Sequence, residues 1–215
     1  MLKFNKHLFK TGYFLLIVAV ILFSLCFLLP VEASFENHFF ENLQICILFI
    51  GFISILYKAK RFIKFKHFYF GCGFFYIIMM ARELSWGRVF YPVGTRSNGE
   101  EIYISIRNIW YGDIVYPVVS ILALIGLFLI IKCYRYCIHN RIIIDVPILY
   151  LIFFALLMLS SQLLFEKEAI SFLSSYNQLL EEATEAIAYC SLVCFTYNWT
   201  FKINNVKDYF YVKIL

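Results

Sequence analysis

Apolar residues come along this chain in long blocks rather than in strict alternation. Six blocks stand between short polar stretches, at about 12 to 31, 42 to 57, 68 to 87, 117 to 132, 143 to 165 and 182 to 201. Each approaches or reaches the roughly 20 residues that an α-helix needs to cross a hydrocarbon core of about 30 Å. In lipid a helix satisfies its own backbone hydrogen bonds, so the pattern predicts an all-α fold: one polytopic membrane helical bundle over residues 1–215 with about six transmembrane helices. Two longer connections, 88–116 and 166–180, are the places for structure outside the bilayer. The first holds a turn-rich tip, VGTRSNGEE. In the second, AISFLSSYNQLLEEATEAIAY reads as a helix that starts outside and runs into the sixth crossing.

Composition sharpens this reading. The chain is 62% hydrophobic and 15% charged, which excludes an ordinary soluble globular domain. Its net charge of +5 is not a nucleic-acid signal, because the basic residues are scattered between apolar blocks. The expected partner is the lipid bilayer, with an outer-leaflet lipid or another membrane protein as further candidates. With the N-terminus inside, the inner pieces hold Lys3, Lys6 and Lys10; Lys58, Lys60, Arg61, Lys64 and Lys66; Lys132, Arg135 and Arg141; and Lys202, Lys207 and Lys213, fourteen of the 19 basic residues. Both termini are therefore expected in the cytoplasm. Of the 14 acidic residues only Asp145 and Asp208 fall inside. The richness in Ile, Lys, Asn, Phe and Tyr suits an AT-rich bacterial genome and hence the bacterial cytoplasmic (inner) membrane. The first block, with Val31-Glu32-Ala33 after it, has features of a secretory signal, yet the apolar run from Gly12 to Leu29 exceeds a signal's usual 7 to 15 residues and is read as an uncleaved anchor.

None of the seven cysteines falls in an outer connection, so no disulfide framework is implied. Cys133 with Cys137, and Cys190 with Cys194, have i,i+4 spacing but read as small apolar residues rather than metal ligands.

The informative polar residues are those inside the blocks. Counting back from the basic ends at 1.5 Å per residue puts Glu41 near the outer boundary, with Gln44 a turn deeper and in one stripe with Asn37. Glu83 falls about one turn inside the same boundary, and so does Glu185, with Gln178, Glu182, Glu185 and Tyr189 forming a second stripe. Three helices thus carry carboxylates to similar depth. Glu41, Glu181 and Glu182 sit at helix starts, where the dipole favours a carboxylate by about 0.3 to 1 kcal/mol. Glu83 ends an outward-running helix, so the dipole opposes it and it needs a cation. Arg82 and Arg88 are nearest in sequence, but Arg82 points about 100° away on the helix, so Arg88 or Arg107 from a folded loop is the expected partner, with a metal or a shared proton as the alternatives. Trp86 reads as an interfacial anchor, and Gly87 and Pro92 as the exit from the helix.

The stretches FENHFFENLQ and ARELSWGRVFYP resemble the signature of a family of uncharacterised bacterial multi-pass membrane proteins with a Glu-x-x-Trp-Gly-Arg/Gln motif. The resemblance implies that Glu41 and Gln44, then Glu83, Trp86, Gly87 and Arg88, then Glu181, Glu182 and Glu185 belong to one site, and it supplies no activity or cofactor. Many relatives carry a second acid where this chain has Arg82.

Three functions follow from such a cluster. It fixes helix packing in a structural or accessory membrane component. Alternatively it serves a membrane-embedded enzyme acting on a lipid-linked substrate at the outer leaflet, with Glu83, Glu185 and Glu41 as acid/base groups or divalent-cation ligands and Arg88 holding an anionic head group. A third reading is an ion- or proton-coupled transporter, although the middle of each block is almost wholly apolar. His38 is the one histidine expected on the outer side, so a zinc ligand set is not anticipated.

Overall fold

The computed structural model describes residues 6–97, 99–165 and 176–202. These form a mostly helical chain whose six long helices are α1 (Lys6–Cys26), α2 (Phe39–Arg61), α3 (Lys66–Glu83), α4 (Gly112–His139), α5 (Ile148–Ser160) and α6 (Asn177–Asn198). Two short antiparallel pairs complete it, β1 (Pro92–Thr95) with β2 (Glu101–Tyr103), and β3 (Ile143–Asp145) with β4 (Thr200–Lys202). Segment 166–175, which opens the second long connection, and residues 203–215, with Lys207, Asp208 and Lys213, lie outside the described residues, as does Lys3.

Three stretches are long and apolar enough to cross a membrane: Val31–Arg61, Gly112–His139 and Ile148–Phe165, with a shorter apolar helix at Thr11–Cys26. α3 and α6 do not reach that apolarity, and their positions explain why. α6 packs against α1, α2 and α5, and fifteen of its 22 residues are buried. A helix surrounded by protein can carry Gln178, Thr184, Glu185 and Ser191 because its neighbours, not lipid, answer them. α4 is the reverse case: Gly112, Gly126, Cys133 and Cys137 alone are buried, and Ile121, Leu124, Phe128 and Ile131 stand outward.

Several expected boundaries need correction. The first block's helix ends at Cys26, and Pro30 then leads into a 3-10 turn over Val31–Ser34. The second extends to Arg61, and the fourth runs to His139, which puts Cys133 and Cys137 on a helix instead of in a loop. The fifth cannot begin at 143, because Pro147 and the extended residues before it exclude helix there; Ile143–Asp145 instead pairs with Thr200–Lys202 past the end of α6. The third stops at Glu83, four residues short of Gly87.

The two ends of the bundle differ in charge. At the basic end the Lys58 ammonium of α2 donates to the carbonyls of Thr196 and Tyr197, in the last turn of the parallel helix α6, and of Trp199, which caps it. A cation there complements both the free carbonyls and the negative end of the helix dipole. Phe65, Phe68, Trp199 and Phe201 stack around this junction. α3 and α4 cross elsewhere through facing glycines: a Cβ on Gly71 would lie 2.7 Å from the Gly126 carbonyl oxygen, and one on Gly126 would lie 3.1 Å from that of Gly71. Close backbone approach of this kind is how helices associate where burial from water offers little.

Candidate functional site

The acidic end gathers α2, α3, α5 and α6. Glu83, the last residue of α3, is 7% exposed. Its Oε1 accepts a hydrogen bond from the Tyr189 hydroxyl of α6 at 2.6 Å, and Arg82 Nε lies 3.8 Å from the same oxygen. Arg82 also reaches Glu185 Oε2 at 3.5 Å and the Tyr189 hydroxyl at 3.4 Å. Glu185 Oε1 in turn accepts from Ser161, which the π-helical segment Ser161–Phe165 beyond α5 turns inward. Glu83 therefore does have a cation, but not the expected one. Arg82 serves because α3 ends one residue later, so its long side chain folds across the helix end with no following turn in the way.

Arg88 is occupied elsewhere. Its Nη2 donates to both oxygens of Glu36, at 2.7 and 2.8 Å, and Ser85 Oγ donates to Glu36 Oε1 at 2.5 Å. Arg107 stays exposed in a 3-10 turn, Ile106–Asn108, and makes no ion pair among the described residues. The backbone between α3 and Arg88 accounts for this arrangement. Ser85, Trp86 and Gly87 take positive φ values of 45°, 58° and 86°, a left-handed run that ends the helix and swings Arg88 towards Glu36. Two non-glycine residues in that region cost about 1 to 3 kcal/mol each. The Ser85–Glu36 bond and a bond from the Tyr111 hydroxyl to the Trp86 carbonyl, 3.2 Å, hold them there. A Cβ on Gly87 would meet that Tyr111 hydroxyl at 2.6 Å. Trp86 itself lines a shallow apolar groove together with Tyr111, Ile114 and Val118 on the α4 side rather than extending the α3 helix.

Gln44 and Glu182 join α2 to α6. Gln44 Nε2 donates to the Glu182 backbone carbonyl at 3.0 Å and to its Oε2 at 2.8 Å. Glu41, one turn earlier, accepts from the Asn37 backbone N–H at 2.6 Å and lies within electrostatic range of Glu36, Glu83 and Arg88. Glu182 likewise feels Glu41, Glu83 and Glu185. Glu36, Glu41, Glu83, Glu182 and Glu185 thus form one cluster with Arg82 and Arg88. Over it lies the β1–β2 hairpin, whose Tyr103 hydroxyl donates to Glu101 at 2.6 Å. Burial first, and the Glu101 carboxylate second, push that hydroxyl up to about 12.

All of Glu41, Gln44, Glu83, Arg88, Glu182 and Glu185 therefore lie in or beside one network, whereas Arg107 does not and Trp86 contributes only its backbone carbonyl. Glu36, Ser85 and Ser161 are members that the spacing of residues did not reveal. Glu36 precedes α2 on an irregular stretch, so no helical periodicity points it at Arg88. Among the described residues no group of three or more His, Cys, Asp or Glu is placed to hold a metal ion.

Fold and site together define a mostly helical chain with three helices long and apolar enough to cross a membrane and a buried carboxylate/arginine network at one end. No protein-family model, curated protein or solved structure matches it.

Proposed function

We propose that the chain is a multi-pass integral membrane protein in which all six helices cross the bilayer, with both termini in the cytoplasm and the acidic end at the outer face of a bacterial inner membrane. Its carboxylate/arginine network acts as a brace, which makes the protein a structural or accessory membrane component of the family that its Glu-Leu-Ser-Trp-Gly-Arg string resembles. The observation that carries this reading is the set of cross-helix bonds made by Glu83, Arg82, Tyr189, Glu185 and Ser161, which ties three helices together at one depth. An apolar surface on α4 and the clustering of basic residues at the opposite end support the topology.

A second reading, an enzyme acting on a lipid-linked substrate at the outer leaflet, has one observation in its favour. An apolar groove of about 700 Å³ runs between α1 and α5, lined by Leu16, Ala19, Phe23, Phe153 and Leu157, with Ile187 and Ser191 of α6 also in its wall. An alkyl chain suits such a groove. Transport gains less support, since the deeper polar side chains are engaged in pairs, Tyr76 with Thr196 at 2.9 Å and Ser191 with the Tyr150 carbonyl at 2.8 Å, rather than forming a path.

Glu83→Gln and Glu185→Gln distinguish the two main readings. The brace predicts a lower thermal unfolding midpoint in detergent, with the phenotype of a deletion host still complemented at normal protein levels. Loss of complementation with an unchanged midpoint would sink the brace and favour the enzyme.

A further inference from the structure

Within the network acceptors outnumber donors. Five carboxylates, those of Glu36, Glu41, Glu83, Glu182 and Glu185, face two guanidinium groups among the described residues, and neither Glu41 nor Glu182 is in an ion pair. Gln44 adds an independent sign. Both of its amide hydrogens are committed, to the Glu182 carbonyl and to Glu182 Oε2. Turning the amide over would set its oxygen against those two acceptors, so its orientation is fixed. Gln44 Oε1 is then left in a side chain with 0% exposure, without a hydrogen-bond donor among the described residues. A buried acceptor is normally satisfied, and one beside two carboxyl groups without an ion partner suits a donor that also carries positive charge.

We propose that Gln44 Oε1 and the Glu41 and Glu182 carboxylates form a binding site for a primary ammonium group. The chemistry favours an ammonium over a metal. Divalent metals need oxygens converging at about 2.0 to 2.6 Å, and among the described residues no group of three or more His, Cys, Asp or Glu is placed to hold one. An ammonium accepts spacings of about 2.7 to 2.9 Å and brings three donors for three acceptors. A quaternary ammonium has no donor to offer Gln44. Two sources share this chemistry, the ethanolamine head group of a lipid and a free amine in solution. The first source rests on the membrane placement proposed above, and the site itself does not.

The test uses the full chain purified in detergent, its thermal unfolding followed in methylammonium, tetramethylammonium and sodium chloride at equal ionic strength. In parallel it is reconstituted in phosphatidylcholine nanodiscs with and without phosphatidylethanolamine. Methylammonium is expected to raise the midpoint saturably above the other two salts, or phosphatidylethanolamine alone to do so, the second result naming the lipid as the source. Glu182→Gln should move the amine dependence to concentrations about tenfold higher or more, and Glu41→Gln serves if that variant does not fold. Equal responses to all three cations with no lipid effect, or variants that respond like the parent, would overturn the site. The brace is read separately, from the midpoint of Glu83→Gln without amine.

Discussion

At the residue scale, Glu83 shows what a carboxylate requires at the wrong end of a helix. The need for a partner was legible, because position relative to the helix dipole follows from the chain's direction. The partner's identity was not. Tyr189 lies 106 residues away and supplies the shortest bond, 2.6 Å, while Arg82 reaches in over the helix end at 3.8 Å. Arg82 is 43% exposed and Glu83 6%, so the hydroxyl should contribute more than the ion pair. Tyr189→Phe is accordingly expected to cost about 1.5 to 3 kcal/mol of unfolding free energy. Its effect should be non-additive with Glu83→Gln in a double-mutant cycle, measured by equilibrium unfolding in mixed micelles. Gly87→Ala meets both an unfavourable φ of 86° and the Tyr111 hydroxyl, and a midpoint scan should show a loss of about 1 to 3 kcal/mol.

At the scale of the helix, the six apolar blocks were readable and their ends were not. Block length reflects the run of apolar positions, whereas helix ends are set by local groups: Pro147 before α5, the left-handed Ser85-Trp86-Gly87 run after α3, the strand pairing past Asn198. The polar stripe on α6 was also readable from its i,i+4 spacing, whereas that on α2 was so only in part: Asn37 precedes the helix with a φ of 64°, and Glu41 and Gln44 alone lie on it. Lys58 was read as topology and proves also to cap α6. Lys58→Met should therefore destabilise the bundle by about 0.3 to 2 kcal/mol without inverting it, a difference that unfolding and orientation assays separate. The α3–α4 contact is equally specific. Gly126→Ala and Gly71→Ala each place a methyl against the other helix's carbonyl, with an expected loss of about 1 to 3 kcal/mol in thermal unfolding. Gly12→Ala, inside α1 where nothing lies within 4 Å, is the control for helix propensity and should lose no stability.

For the whole molecule, the most polar long helix is the most buried and the most apolar ones face outward, an inversion of soluble architecture. α6 is polar because α1, α2 and α5 surround it, and α4 is apolar because little covers it. Charge then separates along the bundle axis, with carboxylates at one end and lysines capping the other. The proposed orientation rests on that separation, and with it the proposed placement of the network at the outer face. Thiol labelling tests this most directly. Thr95→Cys, exposed in the hairpin over the acidic end, and Lys60→Cys, exposed at the end of α2, are introduced into a cysteine-free background and probed with a membrane-impermeant maleimide in intact cells. With the acidic end outside, Thr95→Cys should be labelled in intact cells and Lys60→Cys only after permeabilisation. The reverse pattern, or labelling of both in intact cells, would contradict that orientation.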